Sequence, residues 1–172
     1  MRSRTKASRG DTVVGDLARG ALAGIAATWV MGQVTTYLYE NEPKQIREAE
    51  DDAREGRTAY GVAAEKAAEA VGKELDDDQR KQAGAAIHWA LGAGAGAAYG
   101  LMRDRVPMAD AANGLLFGAA FWAVIDEGAN VALGLTPGPA AFPWQTHARG
   151  LAGHLVFGIA ADTSLRLLDE VS

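Results

Sequence analysis

Five polar side chains fall inside apolar stretches of this chain: Gln33, His88, Asp126, Glu127 and His154. Two imidazoles and two neighbouring carboxylates can hold and pass protons. Histidine titrates near neutral pH, and a nearby carboxylate or burial moves that point. The same groups suit zinc or iron as ligands. No HxxE-type spacing gathers them locally, however, so neither a metal nor another cofactor is expected. No nucleophile stands at motif spacing from a base, and an enzyme is not expected either. The chain has no cysteine, which excludes disulfides and thiolate chemistry.

The segments that must carry these groups are rich in glycine and alanine. In "AGAAIHWALGAGAGAAYGLM", residues 83–102, the run Gly94, Gly96 and Gly100 resembles a dinucleotide-binding turn. Such a turn needs a β-branched strand before it and an acid about 20 residues later on a second strand. Helix formers precede it here, so the nucleotide reading fails on context. Read instead as one helix, Gly84, His88, Gly92, Gly96 and Gly100 share a face at a spacing of four. Comparable ladders run through Gly20, Gly24, Thr28, Gly32 and Thr36, through Gly114, Gly118, Trp122, Asp126 and Asn130, and through Gly150, His154, Gly158, Asp162 and Arg166.

Small residues every four positions let helices approach closely in lipid. About 20 apolar residues suffice to cross a bilayer. The pattern predicts an all-α integral membrane four-helix bundle with spans near 17–39, 83–102, 109–133 and 148–168. A soluble alanine-rich bundle is the alternative, but soluble helices carry a polar face, and residues 20–38 and 83–102 have almost none. Residues 1–12 read as a flexible basic tail and 13–172 as one membrane domain.

Residues 40–82 interrupt the pattern with thirteen acids against eight bases, which accounts for the net charge of −5. They read as a two-helix acidic extramembrane insertion, starting at Pro43 and resuming over about 60–75. Its charge-laced faces are expected to be solvated. No basic patch interleaved with aromatics appears, so nucleic acid is not an expected partner. Bases concentrate in the N-terminal tail and in "RDRVP", and are absent from 136–145. This places both termini in the cytoplasm. With that topology the five polar groups lie in one layer, roughly 8–10 Å below the outer surface. A second layer, with Asp16, Arg19, Arg103, Asp110, Asp162 and Arg166, lies near the inner surface and reads as structural. Tyr37, Tyr39, Phe142 and Trp144 mark the outer boundary.

"HWALGAGAGAAYG" (88–100), "GLLFGAAFWAVIDEGANVALGLTP" (114–137), "PW" (143–144) and "GHLVFGIAAD" (153–162) together resemble the YagU-like family of bacterial inner-membrane proteins. The order GLTP, PW, GHLV is the most specific part. The resemblance covers three of the four spans and leaves 40–82 outside. It implies a small inner-membrane protein with a link to survival in acid. It also implies that His88 and His154 are family histidines, and that Asp126 stands where an enteric member has a third. Two functions follow as expectations: proton or ion homeostasis through the polar layer, or an accessory subunit docking to a larger membrane complex. The partners expected are the bilayer and a membrane complex or a second copy of the chain.

Overall fold

Runs of alanine and leucine give helices throughout, and glycine, itself a poor helix former, is carried inside them. A computed structural model describes residues 9–170, with side chains from Val13 onward. In order they are α1 (Arg9–Glu40), α2 (Lys44–Arg54), α3 (Ala59–Glu69), α4 (Asp77–Met102), α5 (Leu115–Val124), a π-helical turn (Ile125–Ala129), α6 (Asn130–Ala132), a 3-10 turn (Pro139–Ala141) and α7 (Trp144–Glu170). There is no strand among the described residues.

The helix ends have local causes. Pro43 precedes α2, where its fixed φ suits a helix start. Thr58 caps α3 by accepting from the Gly61 amide at 3.1 Å. Asp76 and Gln79 form a reciprocal capping box at the start of α4. Gly114, at φ 83°, opens α5 in a left-handed conformation that favours glycine.

Several predicted boundaries need correction. Residues 9–12, expected in the tail, already belong to α1, while residues 1–8 lie outside the described residues. The third span was expected from 109, but the helix begins only at Leu115. Residues 103–114 form turns in which Met108, Ala112 and Asn113 have positive φ. The second insertion helix was expected to reach 75 and stops at Glu69, before Gly72 at φ 71°. Among the described residues, three helices are long and apolar enough to cross a membrane: Val13–Glu40, Leu115–Ala132 and Trp144–Glu170. The expected span 83–102 lies within α4 and is not among them. Its apolar character comes from alanine and glycine, diluted further by His88.

α1 packs against both α4 and α7, α7 also packs against α5, and α3 packs on α4. The seams are backbone against backbone. A methyl group on Gly20 would lie 2.8 Å from the Ala97 Cα, one on Gly96 2.6 Å from the Gly24 amide nitrogen, and one on Gly100 2.6 Å from the Asp16 carbonyl. Gly24 and Gly92 complete this α1–α4 seam, with Gly92 set against Thr28. Across α5 and α7, Gly118 faces the backbone of His154, and Gly114 faces that of Gly158. Gly150 differs, because it meets the side chains of Trp122 and Asp126. Gly32 approaches no neighbouring helix.

Small residues dominate the interior, where Ala23, Ala27 and Ala161 accompany Tyr99, Phe157 and Leu165. Large apolar side chains face outward: Leu22 is 60% exposed, Trp29 59%, Val124 64% and Leu133 63%. This inside-out distribution suits a hydrocarbon surround, where association rests on close packing rather than on burying large apolar groups. At the far end from α2 and α3, Tyr99 donates to buried Asp162 at 2.8 Å, and the Arg166 Nε donates to the same carboxylate at 2.6 Å.

Candidate functional site

At the end of the helices where α2 and α3 sit, a partly open cavity of about 700 Å³ is lined by α1, α2, α3, α4, the α5–α6 segment and α7. Its floor depends on the π-helical turn. There the Asn130 amide donates to the Ile125 carbonyl, five residues back, instead of four. The wider turn lets two consecutive acids, Asp126 and Glu127, both face the cavity. Each meets a different histidine of α7.

Glu127 Oε1 lies 2.6 Å from His147 Nδ1, and the other ring nitrogen, Nε2, lies 3.0 Å from the Pro139 carbonyl. Both ring nitrogens therefore face acceptors. Neutral imidazole has one N–H and can satisfy only one of them, whereas the protonated ring donates to both. Asp126 Oδ2 lies 3.6 Å from the Nδ1 of buried His154. That nitrogen is 3.0 Å from the Gly150 carbonyl, so its hydrogen goes to the backbone. The His154 ring also packs edge-on against Phe121, with centroids 5.0 Å apart.

His88 enters from α4 with its ring 4.8 Å from that of Tyr60 on α3. Its buried Nδ1 has no hydrogen-bond partner among the described residues, and neither does Trp122 Nε1. Burial pushes the Tyr60 phenol up to about 12, and the negative charge of Asp126 acts in the same direction.

An ion-pair network closes the other wall. Glu50 on α2 is 2% exposed. It receives Arg54 at 2.7 Å, the Thr146 hydroxyl at 2.9 Å, and Arg149 in a very short contact. Arg149 also donates to Glu42 at 2.6 Å and lies over the Tyr39 ring, 5.0 Å from its centroid. Two acids and two bases pair with one another here, which offsets the cost of burying their charge, although the buried Nε of Arg54 has no partner among the described residues.

Of the five groups expected in one polar layer, His88, Asp126 and Glu127 line this cavity and His154 lies beneath it, against Asp126. Gln33 does not join them. It is exposed and stands two residues from both Met31 and Thr35, which do line the cavity. Two residues are about 200° of helix rotation, so its depth fits but its direction does not. The expected solvated face of the insertion is corrected in part, since Glu50 is buried against α7.

Sequence reasoning missed His147, Glu50 and Arg149. A signal for the first was present: His147, Gly150 and His154 share one face at i, i+3 and i+7. For Glu50 the signal was slight: Ile46 and Ala53 share its face of α2 at a spacing of four and three.

Residues 47–163 match the family model described as "Protein of unknown function (DUF1440)". The match begins within α2 and ends within α7, so it takes in both histidine–carboxylate pairs and the Glu50–Arg149 pair. No curated protein and no solved structure matches the chain.

Proposed function

The chain belongs to the DUF1440 family of proteins of unknown function, and we propose that it is a multi-pass bacterial inner-membrane protein that binds protons or ions at its outer polar cavity, contributing to acid tolerance. In this reading α4 is the fourth spanning helix. Its glycine seam with α1 supports that, since backbones in contact along Gly20, Gly24, Gly96 and Gly100 make the two helices one packing unit. The termini lie in the cytoplasm, and the loop around Gly138 lies outside. The bacterial membrane and the acid link come from the resemblance to the YagU-like family. No catalytic step is proposed.

The observation that carries the reading is His147 held between two acceptors, Glu127 and the Pro139 carbonyl. A ring so placed is a proton-binding site, and the Asp126–His154 pair lies on the same side of the fold. Ionisable groups at membrane depth are costly and persist where they pair or function.

Purified protein in liposomes carrying a pH-sensitive dye tests the proposal. A proton or ion flux is expected that Glu127→Gln reduces by about tenfold, as loss of one hydrogen-bonded charge pair would, while expression and folding hold. Absence of flux, together with stoichiometric co-purification of a second membrane protein in mild detergent, would favour the accessory-subunit role instead.

A further inference from the structure

The two carboxylates of the π-helical turn are not equivalent. Glu127 is engaged by His147 at 2.6 Å. Asp126 receives no hydrogen bond among the described residues. Its nearest cationic candidate is His154 Nδ1 at 3.6 Å, and that hydrogen is committed to the Gly150 carbonyl. Yet the Asp126 side chain is 30% exposed, and it lines the cavity. It is a carboxylate acceptor facing open volume with no donor supplied by the protein.

The surroundings define what would complete it. Tyr60 and Trp122 line the same cavity and offer aromatic rings, which attract cations through their π faces. Five carboxylates and three guanidiniums line the wall, so the field is negative when His88 and His147 are neutral. The guanidinium acting on Asp126, that of Arg54, is bound to Glu50 at 2.7 Å. A volume of about 700 Å³ lies within the range of small-molecule sites. No group of three or more His, Cys, Asp or Glu side chains gathers as a metal site among the described residues.

We propose that the cavity binds a small protonated primary amine, its ammonium group donating to Asp126 beside the rings of Tyr60 and Trp122. Amine binding and proton flux are separate properties. The first is read calorimetrically without a gradient, and either can fail while the other holds.

The test uses the full chain in phosphatidylcholine nanodiscs at pH 8, with n-butylammonium chloride as probe. n-Butylammonium is expected to bind at least about tenfold more tightly than n-butanol, butyrate or tetramethylammonium, because only it joins positive charge to N–H donors. Asp126→Asn should weaken it by about tenfold or more, while Asp51→Asn, which removes a charge elsewhere on the wall, should change it less than about threefold. Equal or tighter binding of n-butanol or butyrate overturns the proposal, and so does equal binding of tetramethylammonium. An equal loss in Asp51→Asn and Asp126→Asn overturns it too, since it would show a diffuse field instead of a contact. Should Asp126→Asn fail to fold, the ligand series on the unaltered protein decides.

Discussion

Gly94 and Gly96 stand two residues apart on α4, and replacing each by alanine should affect stability differently. A methyl group at Gly94 meets nothing within 4 Å. Only the backbone term remains there, and alanine in place of glycine inside a helix gains about 0.5–1 kcal/mol. At Gly96 the new carbon would lie 2.6 Å from the Gly24 amide nitrogen, and nearer still to the Gly20 carbonyl. Ordinary contact begins near 3.4 Å, so α1 and α4 must part by about 0.8 Å or more along a seam built from rigid backbone. Overpacking of this kind costs about 1–3 kcal/mol, which outweighs the helix-propensity gain in the upper part of that range. The two variants should therefore differ by about 1–3 kcal/mol, with Gly94→Ala the more stable. Unfolding in mixed micelles with increasing SDS, followed by circular dichroism, measures the difference. Equal stability of the two variants would refute the backbone-to-backbone contact of α1 with α4.

Removing Arg149 tests the wall formed with α2. Arg149→Ala leaves Glu50 buried with Arg54 alone and should cost about 3 kcal/mol, the lower end for breaking a buried pair, since Arg54 and Thr146 still serve the carboxylate. The same SDS titration reads it, and a loss under about 1 kcal/mol would mean that α2 does not dock there. Tyr60 gives a pH dependence. Its phenol stays neutral in the folded state up to about pH 12, whereas a free phenol ionises near 10. The folded state thus holds the proton more tightly, so this stability is complete below pH 10 and is lost as pH rises towards 12. Tyr60→Phe should lack this alkaline loss of about 2 kcal/mol, checked by denaturation at pH 9 and pH 11.5. A reporter fused after Ser172 should be active in the cytoplasm and one inserted at Gly138 outside, and the reverse pattern would overturn the orientation.

The period-four ladders were legible in the sequence because i and i+4 share a helix face, and the bare backbones of Gly20, Gly96 and Gly118 leave a geometric signature in the spacing. Which ladder meets which was not legible. Depth along the chain suggested a common layer for five groups, but depth says nothing of direction around the helix, and Gln33 turned outward for that reason. The apolar stripe of α2 is only Ile46, Ala49 and Ala53, and a carboxylate beside so narrow a stripe reads as solvated, which hid the burial of Glu50. Its partner Arg149 stands 99 residues away, a register only the fold can set. The π-helical turn was equally invisible, since one extra residue per turn has no composition of its own.

The absence of native cysteines allows one direct measurement of whether a polar cavity opens outward between membrane-spanning helices. Thr36 lines the cavity, while Leu22, on the same helix, presents its side chain outward from the fold. Single-cysteine variants Thr36→Cys and Leu22→Cys are treated in intact cells with a membrane-impermeant maleimide. Labelling of the first and protection of the second, both before and after permeabilisation, is the predicted result. Rapid labelling of Leu22→Cys once the cells are permeabilised, or protection of Thr36→Cys from the outside, would contradict it.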